Sequence, residues 1–157
     1  MYNNDTIAAL ATPPGIGALA IIRISGENLE LLFQKLTKNK SIKDRFATFS
    51  SIYCPNTQEV LDSGIIIYFK APRSFTGEDL IEINCHGGEY ISKSILSSLY
   101  AYHLRPANPG EFSFRAFMNG KIDLIQAEAI SELISSKSTK AVKNNLAALN
   151  EEITHSN

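Results

Sequence analysis

The sequence predicts an α+β fold: a mixed β-sheet with helices packed on it, followed by an all-α segment. Three observations carry this expectation. Short β-prone runs bounded by Pro, Gly and Ser recur through the first ninety or so positions. Between and after them, Leu29/Leu32/Phe33/Leu36 and Ile91/Ile95/Leu96/Leu99 fall at the spacing that lines one helix face. From Asp123 to Leu149 there is neither Pro nor Gly and alanine is abundant. The expected organisation is therefore one α+β domain over residues 1–120 and a helical segment over 121–157, with the break near Gly120.

Taken in order, Thr6 to Ala11 is short and apolar and runs into Thr12-Pro13-Pro14-Gly15, where two prolines end a ladder and a glycine permits a turn. It reads as a strand entering a loop. Ala18 to Ile24 is Ile-rich and reads as a second, mostly buried strand closed by Ser25-Gly26. The first helix follows from Glu27, and Lys38 to Asp44 is a polar loop. Arg45 to Tyr53 reads as a half-exposed strand with Ala47, Phe49 and Tyr53 on one side and Thr48 and Ser50 on the other. Pro55-Asn56 begins a turn, and the run Gly64 to Phe69 has the look of a central strand. Pro72 and Gly77 bracket a loop. In Asp79 to Cys85 the alternation places Ile81, Ile83 and Cys85 on one face and Leu80, Glu82 and Asn84 on the other. Gly87-Gly88 ends that strand before the helix marked by Ile91 to Leu99, and Pro106 to Gly110 forms a turn. In the last segment Leu124, Ala127, Ile130, Leu133 and Ile134 predict one helix, and Val142, Leu146 and Leu149 a second.

A chain of 157 residues, 44% hydrophobic, is long enough for one ordinary core. Its formal net charge of -1 gives no overall field toward nucleic acid or anionic membrane, so any such contact has to be local or belong to a partner. The N-terminus has no basic stretch followed by an apolar one, and no apolar run approaches the roughly 18 residues of a membrane span. A cytoplasmic location without membrane contact is expected. Cys54 and Cys85 lack metal-ligand spacing and read as reduced thiols.

Several segments invite chemistry. Gly15-Ile16-Gly17-Ala18-Leu19-Ala20 formally fits a dinucleotide fingerprint, but that motif needs a helix after it, and Ile21-Ile22-Arg23-Ile24 is β-prone. Cys85-His86 resembles a thiol beside its base, yet neighbours in a strand point to opposite faces and do not form a catalytic pair. Cys85 is expected in the core and His86 at a strand end. No catalytic residue and no metal site is expected, and no nucleoside triphosphate loop occurs. Arg23 lies inside an apolar strand, where a guanidinium is costly unless it meets a partner or a polar cavity. Two readings stay open: an ion pair, with Glu82 the candidate partner, or a ligand contact. Glu82 itself projects from the polar side of its strand, where a carboxylate accepts two parallel N–H bonds from an amidine-like edge. Arg115 and Lys121 flank the turn Phe117-Met118-Asn119-Gly120, as candidates for an anionic tail or as solvated helix ends.

The stretches DTIAALATPPGIGALAIIRISG, APRSFTGEDLIEINCHGG and PGEFSFRAFMNGKIDLIQAEAISELI, taken together, resemble the N-terminal part of the tRNA-modification GTPase family MnmE, also called TrmE. The likeness covers roughly residues 5 to 150. It implies a tetrahydrofolate-binding domain similar to that of aminomethyltransferases, then the first helices of a central helical domain. It further implies a homodimer through this domain, with a bound 5-formyl- or 5,10-methylene-tetrahydrofolate. The one-carbon unit would be used with an MnmG-like FAD protein to modify C5 of the wobble uridine of tRNA within the complex. GTP, Mg and K belong to a GTPase domain that this stretch does not contain, so catalysis by the chain alone is not expected. Matched by motif, the folate contacts are Arg23, Glu82 and Lys121. Departures from the family pattern are Pro13-Pro14-Gly15-Ile16-Gly17-Ala18 in place of PPGRGG and Cys85 in place of a glycine. Two alternatives from other classes are a free-standing folate-dependent one-carbon transferase and an interaction scaffold without folate, in which Arg23 and Glu82 only pair with each other.

Overall fold

The computed structural model describes residues 5–12 and 19–133. Six strands form one sheet: β1 (Ile7–Leu10), β2 (Leu19–Gly26), β3 (Thr48–Tyr53), β4 (Val60–Phe69), β5 (Asp79–His86) and β6 (Arg105–Pro106). Their order across the sheet is β3-β4-β5-β2-β1-β6. All neighbours are antiparallel except β1 and β6, so the sheet is mixed, as the sequence predicts.

Strand alternation gives the sheet two unlike faces. Ala8, Ile22, Ile24, Ile66, Tyr68, Ile81, Ile83 and Cys85 point to one side, where they form the core with α1 (Glu30–Thr37) and α2 (Glu89–Ala101). The helices contribute Leu32, Phe33, Leu36, Ile95 and Leu99, the predicted apolar positions. Phe33 meets Tyr68 edge to face with ring centroids 5.4 Å apart. The start of α1 is fixed from the sheet, because the Leu29 N–H is shared between the Tyr68 hydroxyl and the Asp79 carboxylate at 3.1 and 3.2 Å. Tyr68 in turn hydrogen-bonds Asp79, and burial followed by that carboxylate pushes the phenol's pKa up.

The opposite face carries Ile7, Arg23, Ser25, Leu80, Glu82 and Asn84, and part of it lies under α3 (Glu111–Met118) and the loop 70–78. Two elements here were not expected from the sequence: β6, and α3 itself, which falls in the stretch read as turn and flanking charge. A third difference concerns β3, where Phe49, on the side that looked apolar, is 74% exposed while Ile52 on the alternate side is buried. A helix begins at 124 and continues through 133, as predicted. The second helix expected around Val142 to Leu149, and the Pro13 to Ala18 stretch, lie outside the described residues. The strand, not helix, that follows that stretch removes the dinucleotide reading.

Candidate functional site

The antiparallel register of β2 and β5 sets Arg23 directly opposite Glu82, and that of β4 and β5 sets Ile67 on the other side of Glu82. One row across the sheet thus places an arginine and a carboxylate side by side on the face away from the core. Their charged ends stand 3.8 Å apart, with side chains 29% and 26% exposed. That distance is an ion pair but not a hydrogen bond, so both groups keep bonding capacity. Arg23 Nε is buried with no hydrogen-bond partner among the described residues. The guanidinium is held between two rings, Phe75 of the loop at 5.4 Å and Phe112 of α3 at 5.6 Å from its carbon.

Glu82 opens onto a cleft of about 480 Å³ walled by Phe69, Phe75 and Leu80, and Lys121 lies on its rim. Of the three residues matched by motif, Glu82 and Lys121 both line this cleft, and Arg23 reaches it only through its ion pair with Glu82. Lys121 is brought there by the turn after α3, where its N–H donates to Ala116 O at 2.8 Å. Asn119 Nδ2 ties the same turn to the loop by donating to Thr76 O at 2.8 Å. Gly77, at φ 82, sits where a Cβ would approach Asn119 Cβ to 2.7 Å, so the absence of a side chain allows this close packing.

Arg115 requires a correction. Rather than offering an anion contact or a solvated helix end, it is 0% exposed and is the centre of a buried ionic network. It donates to Glu78 Oε1 at 3.0 Å, Asp5 Oδ1 at 3.1 Å and Glu111 Oε2 at 3.2 Å. Arg105 extends the network with bonds to Asp5 and Glu111. Ser25 Oγ donates to Glu78 at 2.8 Å and pairs with Thr76 Oγ1 at 2.7 Å. The arginines hold the Asp5 carboxyl below its ordinary range, the Arg105 hydrogen bond being the largest influence. For Glu111 burial raises the pKa, but the bonds from Arg105 and from the Asn108 N–H outweigh it and the net shift is downward. This network fastens α3 and the loop 70–78 to the sheet, and so sets the two rings that clasp Arg23. The sequence signal for it was available in the i, i+4 spacing of Glu111 and Arg115.

Cys85 is wholly buried, its thiol pushed up to about 11 chiefly by burial and then by the Asp62 charge. It is a core residue, as expected. His86 at the strand end pairs instead with Asp62, its Nδ1 2.9 Å from Oδ1. Among the described residues no group of three or more His, Cys, Asp or Glu could hold a metal, and no helix is long and apolar enough to cross a membrane.

A carboxylate and aromatic walls around a cleft, with an under-bonded guanidinium paired to that carboxylate, suit a flat heterocycle that presents N–H donors. Residues 6–121 match the family model described as the GTP-binding protein TrmE N-terminus. The chain is 48% identical over 155 residues to a protein of Aliarcobacter butzleri (strain RM4018) named "tRNA modification GTPase MnmE", covering 99% of this chain and 34% of that one. Proteins of the same name from a Nitratiruptor species and from Legionella pneumophila (strain Corby) are 52% identical over 141 residues and 51% over 145. These alignments cover 90% and 92% of this chain but 31% and 32% of the relatives. The chain spans about a third of the length of the curated relatives it matches.

Proposed function

The chain belongs to the family of TrmE N-termini, and from that premise we propose that it is the reduced-folate-binding, dimer-forming part of a GTPase that modifies the wobble uridine of tRNA. The observation that carries the folate reading is the cross-strand row of Arg23 and Glu82 beside the aromatic cleft. Glu82 takes the N–H edge of the pterin in a two-point carboxylate contact. Arg23, whose Nε lacks a partner among the described residues, meets an acceptor on the same ring system, and Lys121 meets the anionic end. A bound reduced folate supplies a one-carbon unit. The chain's own residues orient the ring and exclude water along Phe69, Phe75 and Leu80. GTP hydrolysis and FAD chemistry are assigned to other domains and to an MnmG-like partner.

The scaffold reading has one observation in its favour, the Arg23–Glu82 ion pair itself. The two readings differ on a measurement. Calorimetric titration with 5-formyl-tetrahydrofolate is expected to show saturable binding, weakened at least about tenfold by Glu82→Gln, since each hydrogen bond to a charged group contributes about 1.5–3 kcal/mol. Absence of binding at saturating folate supports the scaffold and removes the proposed function. Sedimentation at micromolar concentration tests the dimer separately.

A further inference from the structure

We infer that the cleft is built for a folate carrying an oligoglutamate tail, and that Arg45 and Arg73 read the length of that tail; this rests on the folate reading above. Besides Glu82, the lining of the cleft includes three cations, Arg45, Arg73 and Lys121. None of them is paired with a carboxylate among the described residues. The fold ties the Arg45 guanidinium to the backbone of Arg73, so both residues are kept at this cleft. Arg45 Nη1 donates to the Arg73 carbonyl at 3.1 Å, and the Arg45 N–H donates to Tyr68 O at 2.6 Å. Arg45 adopts φ 63, a left-handed conformation unfavourable for a residue with a side chain. Its guanidinium lies 5.5 Å from the centre of the Phe69 ring, on the wall of the same cleft.

Like charges gathered at one rim repel, and in a chain of net charge -1 nothing in the overall balance demands it. An anion in the cleft removes that repulsion. A single terminal glutamate brings two carboxylates, and the folate reading commits Arg23 to the ring system. Lys121, Arg45 and Arg73 then give the tail three cations, one more than a monoglutamate's two carboxylates, whereas each added γ-linked glutamate brings one more carboxylate. Guanidinium forks suit such groups better than an ammonium does.

The test compares 5-formyl-tetrahydrofolate with its pentaglutamate by calorimetry on the full chain, at low and at high ionic strength. The expected result is roughly threefold to thirtyfold tighter binding of the pentaglutamate at low salt, the range for a few exposed ion pairs, with the gain shrinking as salt screens it. In the Arg45→Gln/Arg73→Gln variant the gain disappears, while the monoglutamate is affected less. Equal affinity of the two ligands for the unaltered chain overturns the inference and leaves the folate reading standing. A gain that survives in the double variant overturns the assignment to these arginines. Failure of both ligands to bind sinks the folate reading and this inference with it.

Discussion

Replacing Arg115 by Met tests whether the buried network, rather than the apolar core, holds α3 on the sheet. The substitution keeps an unbranched side chain of similar length and removes the guanidinium. Glu78, 8% exposed, and Glu111 then lose a charged donor in a setting that water barely reaches. Breaking a buried ion pair by deleting one partner costs about 3–5 kcal/mol. Arg105 still bonds Glu111 and Asp5, and the Ser25 hydroxyl still donates to Glu78, so the lower end of that range is expected. For a domain of this size a loss of about 3 kcal/mol is a large part of a total of about 5–15 kcal/mol. It corresponds to a Tm lower by roughly 10–20 °C. Urea unfolding followed by circular dichroism measures it. Glu78→Gln in the Arg115→Met background is expected to recover part of the loss, since it removes the stranded charge; the four-variant cycle gives the coupling directly. Arg115→Lys is expected to rescue poorly, because one ammonium does not reach three carboxylates as a planar fork does. A Met variant within about 1 kcal/mol of the parent refutes the argument, for then the network is no more than a surface pair in its energetics.

Three other outcomes are expected. Asp5 and Glu111 have pKa values held below their ordinary 3.8 and 4.5, so their contribution is fully present above those values and is lost as pH falls through the lowered ones. Urea midpoints measured downward from about pH 5 should fall in that acid window, and Arg105→Gln should flatten the dependence; an unchanged slope contradicts the assignment. Gly64→Ala in β4 should destabilise by more than the ordinary 1 kcal/mol or so, because the new Cβ would meet Asn84 O at 1.9 Å and force β4 away from β5; a neutral effect in thermal melts counts against the pairing described. Cys85 should resist iodoacetamide at about pH 8 in the native protein and react once urea unfolds it, as a buried thiol pushed up to about 11 requires; native-state labelling followed by mass spectrometry decides.

How much of this was legible in the sequence depends on the range of the interaction involved. Strand parity is local, so the division of β5 into Ile81/Ile83/Cys85 and Leu80/Glu82/Asn84 could be read residue by residue, and the first set is wholly buried in the core. The cost of an unpaired charge is equally local, and it marked Arg23 as a residue needing explanation before any partner was known. The facing of Arg23 and Glu82 is not local, since it depends on the register of two strands far apart in the chain, and residue type offered it only as one option. Phe49 shows where parity stops being sufficient. Alternation divides β3 into two sides, but the inward side is chosen by what α1 and β4 present, and the register shift at Ile52/Tyr53 further bends the edge strand.

The network around Arg115 lies beyond pattern reading for a sharper reason. Gly110 at φ 78 and Gly120 at φ 72 bracket eight helical residues, and a helix so short has too few turns to declare a period among turn-forming neighbours. Its stability comes from outside, through carboxylates supplied by Asp5 at one end of the chain and Glu78 at the end of the loop. Of Arg115's three carboxylate partners only Glu111 is within reach of sequence neighbours, at i, i+4; Asp5 and Glu78 are brought by the closed sheet. The same holds for Arg45, Arg73 and Lys121, which share no local signal and meet because the approach to β3, the loop 70–78 and the turn after α3 end at one rim. A ligand-binding surface assembled from three such ends can be altered one end at a time. Tail length should therefore change affinity through Arg45 and Arg73 without disturbing the row of Arg23 and Glu82, which the paired strands hold in place.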